Sequence, residues 1–182
     1  MNTTGQAQTF VYDANLSGPA ESPANASPGT GFGEVTVDLA TNVLTVQVNF
    51  SGLTGTTTAS HVHAPTATPG TGTAGVATQT PTFVGFPLGV TAGSYNHTFD
   101  MTLDSTWNSS YETANGGTAS GADTAFVQAL ADGTAYLNIH TQVFPGGEIR
   151  GFLLPVPEPA TIALLAIGGI GLFYAARKGR RG

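Results

Sequence analysis

Gly33-Glu34-Val35-Thr36-Val37-Asp38-Leu39, followed by Ala40-Thr41-Asn42 and Val43-Leu44-Thr45-Val46-Gln47-Val48-Asn49-Phe50, decides the fold. In the first run Val35, Val37 and Leu39 alternate with Glu34, Thr36 and Asp38; in the second, Leu44, Val46, Val48 and Phe50 share one face. Such a period of two marks a half-buried strand, because successive side chains leave a pleated backbone on opposite sides. Thr41-Asn42 predicts a tight turn, so the two runs read as a β-hairpin. Outward from this hairpin, strands are expected at residues 9–14, 59–64, 95–103, 135–141 and 148–154, the last two joined by a Phe144-Pro145-Gly146-Gly147 turn. Short strands divided by Gly-, Pro- and Thr-rich loops predict an all-β chain, an antiparallel Greek-key-like sandwich or barrel.

Two stretches break the period. Residues 120–132 predict one short helix, capped by Ser120 or Asp123, with Phe126, Val127 and Leu130 on one face and Gly133 as its stop. Its expected role is to cover one end of the sheet. Residues 65–93 are rich in Gly, Pro and Thr and predict a long loop crossing the sheet, with strand fragments near Gly75-Val76 and Thr82-Phe83.

Histidine supplies the most suggestive polar cluster. His61-Val62-His63 lies in an expected strand, which puts both rings on one face roughly 6.5–7 Å apart along the chain. His140 ends Tyr136-Leu137-Asn138-Ile139-His140, where Tyr136, Asn138 and His140 share a face. Three imidazoles on strands suit copper or zinc, so His61, His63 and His140 are candidate metal ligands. The alternative is that these rings bond backbone carbonyls at the edge of the sheet. His97 reads as a lone structural histidine. A second cluster, Glu148-Ile149-Arg150, places an acid and a base two apart on one strand face. An architectural ion pair between Glu148 and Arg150 is expected, with Glu21 and Asp13 as other partners for the guanidinium.

Arg150 is the only Lys or Arg before residue 177, against ten carboxylates in residues 1–155. Such an acidic surface repels phosphate backbones and argues against nucleic-acid binding. Without a lysine before residue 178, Schiff-base chemistry is excluded from this part of the chain. No Gly-x-Ser-x-Gly elbow is present, and the absence of cysteine removes disulfides and thiolate chemistry. Trp107, Tyr95 and Tyr111 would offer either a sugar-stacking patch or core packing. No catalytic residues are assigned.

The C-terminus has a different composition. Residues 160–176 are almost wholly apolar, and as a helix they would span about 26 Å, short but usable against a bilayer core of roughly 30 Å. Arg177, Lys178, Arg180 and Arg181 follow, and the positive-inside rule keeps them cytoplasmic with residues 1–155 outside. Residues 1–8 lack the basic and apolar parts of a signal peptide and read as a possible remnant of one, so an upstream start is expected.

This tail resembles a PEP-CTERM sorting signal, the bacterial element made of a Pro-Glu-Pro motif, a hydrophobic helix and an arginine-rich end. Pro157-Glu158-Pro159 matches the motif, and the three parts occur in order. The resemblance implies recognition by an exosortase at the inner membrane, cleavage near the motif, and a transient anchor before release to the surface. Segments of residues 9–154 resemble chordin-type (CHRD) domains: Ala14-Asn15-Leu16-Ser17-Gly18, Ala59 to Pro65, Ala135 to Thr141 and Pro145-Gly146-Gly147-Glu148-Ile149-Arg150-Gly151. That resemblance implies an all-β extracellular module. The organisation expected is therefore residues 1–8, a domain at 9–154, and a sorting signal at 155–182 with a transmembrane helix at 160–176. His61-Val62-His63 is also similar to the paired copper ligands of copper/zinc superoxide dismutase, although this chain has four histidines and no cysteine. The function expected is a non-enzymatic binding or structural module of the cell surface or biofilm matrix, with polysaccharide or envelope components as partners. The alternative is a copper- or zinc-binding metalloprotein with a dismutase-like histidine site.

Overall fold

Strands β2 (Thr30–Asp38) and β3 (Val43–Ser51) pair from Thr30↔Ser51 to Asp38↔Val43. In this computed structural model, which describes residues 8–157, Asn42 takes a φ of 54° in the turn between them. Asparagine tolerates that left-handed conformation better than most residues. Strand β1 (Thr9–Ser17) pairs along the whole of β2, and β5 (Gly93–Asp100) along β3. Strands β4 (Thr57–His63), β6 (Tyr136–Thr141) and β7 (Ile149–Phe152) extend the sheet beyond β1, and β8 (Leu154–Pro155) adds a short pairing to β1. The result is one eight-stranded antiparallel sheet of order β4-β6-β7-β1-β2-β3-β5, curled into a half-barrel.

Its concave face holds the core. Val35, Val37, Leu44, Val46 and Val48 are fully buried, as the alternation requires, and Leu137, Ile139 and Ile149 continue the lining. Helix α2 (Ala119–Ala131) contributes Phe126 and Leu130, both fully buried. Its cap is Thr118, whose side chain accepts from the Gly121 amide, rather than Ser120 or Asp123. A second helix, α1 (Ser109–Ala114), was not anticipated; Asn108 caps it through the Ser110 amide. Strand β5 stops at Asp100, short of the expected Leu103, because the Asp100 carboxylate accepts from the amide and hydroxyl of Thr102 and turns the chain. Trp107, Tyr111 and Tyr95 are buried, and the Trp107 ring lies 5.3 Å from that of Phe126, so these aromatics pack the core.

Strand order explains the long loop. The chain leaves β3 for β4 at one end of the sheet, then must return to β5 at the other. Residues 64–92 make that return along the free edge of β4. The Ala77 amide donates to Val62 O, that of Phe83 to Ser60 O, and that of Gly89 to Thr57 O. Thr78 and Thr82 hydroxyls accept from the Val62 and Ser60 amides. Covering an edge in this way satisfies backbone groups that would otherwise template aggregation.

The expected Glu148–Arg150 pair is not formed. Glu148 lies one residue before β7, after Gly147 at a φ of 132°, and its carboxylate points into the protein instead. There it accepts from the Ser27 hydroxyl (2.6 Å), the Thr141 hydroxyl (2.6 Å), and the amides of Thr54 and Gly55. Arg150 turns to Glu21, 3.8 Å away, and donates to the carbonyls of Ala20 and Gly72. Its guanidinium also lies over the Tyr136 ring at 4.7 Å. Burial alone would push the Glu148 carboxyl up, but its four donors outweigh that and hold it below the usual carboxylate range. For Glu21, burial wins over the Arg150 charge and the Ser22 amide, and raises the carboxyl to about 7.

Three expectations follow for stability, each read by chemical denaturation. At Gly151 a Cβ would strike the backbone oxygen of Asn15, whereas at Gly146 nothing lies within 4 Å. Gly151→Ala should therefore cost about 1–3 kcal/mol, while Gly146→Ala should change little. Glu148→Gln should lose about 2–3 kcal/mol at pH 7, since one buried donor must then face an amide N–H. A depressed folded pKa stabilises above the unfolded value, so this advantage should vanish as pH falls below that value, through the folded one. Glu21 runs the other way: its contribution is complete below its unfolded pKa and is lost as pH rises through about 7. Gln mimics the protonated acid and does not titrate, so the stability of wild type relative to Glu21→Gln should fall from pH 5 to pH 8; a constant difference would refute the raised pKa.

Candidate metal centre

The pairing of β4 with β6 brings the candidate histidines together. His61 sits opposite Asn138, His63 opposite Tyr136, and Ala59 opposite His140. Directly opposed residues share a face, so His61, His63, Tyr136, Asn138 and His140 all project from one side. His140 is then the diagonal neighbour of His61. The ring centroids of His61 and His140 are 5.2 Å apart, and those of His61 and His63 are 5.8 Å apart. One ring nitrogen from each of the three lies within 4.8 Å of the others. Among the described residues this is the one group of three or more potential ligand side chains so placed. His97 is elsewhere, between the rings of Tyr95 and Phe99 on β5 at the other end of the strand order.

Each imidazole is held from outside by a backbone carbonyl. His61 Nε2 contacts Pro81 O at 2.7 Å, His63 Nδ1 contacts Ala74 O at 2.9 Å, and His140 Nδ1 contacts Pro145 O at 2.8 Å. Two of these carbonyls belong to the return loop and the third to the turn between β6 and β7, so the edge cover also orients the rings. The His63 ring stacks on Tyr136 at 4.8 Å with an interplanar angle of 4°. Facing inwards, His61 Nδ1 and His140 Nε2 are 3.3 Å apart, and His63 Nε2 is buried with no hydrogen-bond partner.

All three rings stay neutral near pH 7. Burial pushes His61 down to about 4, against the Pro81 carbonyl, which favours the protonated ring, and with help from His140 and His63. Burial likewise lowers His63 and His140, opposed in each case by the carbonyl bond, to Ala74 or Pro145. Neutral imidazoles held by outer carbonyls are the form in which histidine binds metals. Sequence reasoning named the three rings and offered backbone carbonyls at the sheet's edge as their partners, but not which carbonyls; the Pro and Ala residues supplying them carry no side-chain signal.

Pro157, first residue of the sorting motif, is exposed at the end of the described chain. Glu158, Pro159, the expected helix at 160–176 and Arg177, Lys178, Arg180 and Arg181 lie outside the described residues. Among the described residues no helix is long and apolar enough to cross a membrane.

The CHRD domain family matches residues 12–153, from within β1 to just past β7, and the PEP-CTERM protein-sorting motif matches residues 155–181. No curated protein and no solved structure matches the chain. A PEP-CTERM signal marks an exported protein processed by an exosortase, anchored transiently in the membrane and then located at the cell surface or outside the cell. With most of its length covered by that first match, the chain belongs to the CHRD domain family and carries a PEP-CTERM sorting signal.

Proposed function

We propose that the domain acts at the surface as a non-enzymatic binding or structural module, in contact with surface polysaccharide or other envelope components. The observation that carries this reading is the use made of the buried charged groups. Glu148 ties together the segments around Ser27, Thr54 and Thr141, and Arg150 ties Ala20 and Gly72 to the end of the sheet. A carboxylate committed to four donors and held below its usual pKa is a poor proton donor or acceptor for catalysis at neutral pH. The sequence motif richest in functional groups, Pro145 to Gly151, thus serves architecture. The remaining surface is mostly Thr, Ser, Asn and Gly, suited to hydrogen bonding with neutral hydroxyl-rich polymers.

The test uses mature protein recovered from the surface of its own cells. It should co-sediment saturably with surface polysaccharide from those cells and leave the polymer's chain-length distribution unchanged. Shortening of the polymer would replace the module with an enzyme, and absence of saturable binding to polysaccharide or to isolated envelopes would remove the reading.

A further inference from the structure

We propose that His61, His63 and His140 form a mononuclear site for a first-row divalent cation that favours imidazole, zinc or copper. The inference is independent of the binding-module reading and rests on where the protons can be. A carbonyl oxygen accepts and cannot donate, so the nitrogens facing Pro81 O, Ala74 O and Pro145 O must each carry a hydrogen. A neutral imidazole has only one. The inner nitrogens, His61 Nδ1, His63 Nε2 and His140 Nε2, are therefore bare lone pairs.

Two of those lone pairs face each other at 3.3 Å with no proton to share. The third belongs to a residue only 8 % exposed and meets no hydrogen-bond donor among the described residues, its polar neighbour being the Asn138 side chain. Three convergent bare acceptors are unfavourable unless a donor or a cation stands among them, and a cation satisfies all three at once. A metal with Zn–N bonds of about 2.0–2.1 Å places tetrahedral ligand nitrogens about 3.3–3.4 Å apart, which the His61–His140 pair already matches. One nitrogen from each ring lies within 4.8 Å of the others, so a modest inward shift of the rings brings all three to that spacing. Outer carbonyl bonds fix the tautomers and raise ligand basicity, as they do in histidine metal sites generally. Asn138 Oδ1, also buried without a partner and opposite His61, adds an oxygen to the same face.

The full chain, made without an affinity tag, is to be titrated separately with Zn²⁺ and Cu²⁺. One equivalent of at least one metal should bind and raise the melting temperature, because the bound cation joins β4, β6 and the loops that orient their rings. His61→Ala and His140→Ala should each weaken binding by about 100-fold or more, while His97→Ala should bind as wild type does. The Cu²⁺ complex of the wild-type chain should show electron-spin superhyperfine structure from three nitrogens, a reading that needs no variant to fold. Failure of both metals to bind stoichiometrically would overturn the proposal. So would a copper spectrum without three-nitrogen ligation, or a loss in His97→Ala equal to that in His61→Ala.

Discussion

Glu148, a carboxylate with no ion-pair partner among the described residues, is where this fold is most tightly constrained. Burying an ionised acid costs several kcal/mol unless its lone pairs are satisfied, and here four donors from three separate stretches of chain converge on it. Ser27 precedes β2, Thr54 and Gly55 link β3 to β4, and Thr141 ends β6. The carboxylate thus fixes where β4 begins and where β6 ends. The turn following Thr141 carries Pro145, whose carbonyl orients His140. One hydrogen-bond centre consequently sets both the closure of the half-barrel and one wall of the histidine cluster.

The connection between β3 and β5 completes the other wall. A chain that places β4 at one end of the strand order and β5 at the other needs a long return, and a bare edge along β4 would be a liability. The same segment meets both demands. Its amides and threonine hydroxyls cover the free edge of β4, and its carbonyls at Ala74 and Pro81 take the outer protons of His63 and His61. Pro and Gly in the loop allow the turns this path requires, and Gly70, Gly72, Gly85 and Gly89 all take positive φ.

What could be read from sequence was what depends on local period. The hairpin and the helix around Phe126 were legible because burial imposes a period of 2 or 3.6 on the residues themselves, whereas the two histidine strands, buried on both faces over most of their length, were read as short runs between loop residues. The pairing of β4 with β6 was not, since register is a relation between strands and either of the two histidine strands could have paired elsewhere. Nor was the fate of Glu148: two-residue spacing suggested a shared face with Arg150, but the backbone turn at Gly147 puts Glu148 ahead of the strand and releases it from that alternation. Helix α1 escaped notice because six residues give less than two turns of periodicity.

The choice of histidine for the clustered site follows from the electrostatics of the rest. With Arg150 the sole Lys or Arg before residue 177 and ten carboxylates through residue 155, few positive charges are available to stabilise further buried anions. Where acids are buried, one is held ionised by hydrogen bonds and the other is driven towards its protonated form. Imidazoles avoid this problem, since they enter the interior uncharged and keep a lone pair once an outer carbonyl has taken the single proton. A cation at the proposed site would have Arg150, over the Tyr136 ring that stacks on His63, as a fixed positive charge nearby. The surrounding excess of carboxylates would lower the energy of a cation at the proposed site at longer range.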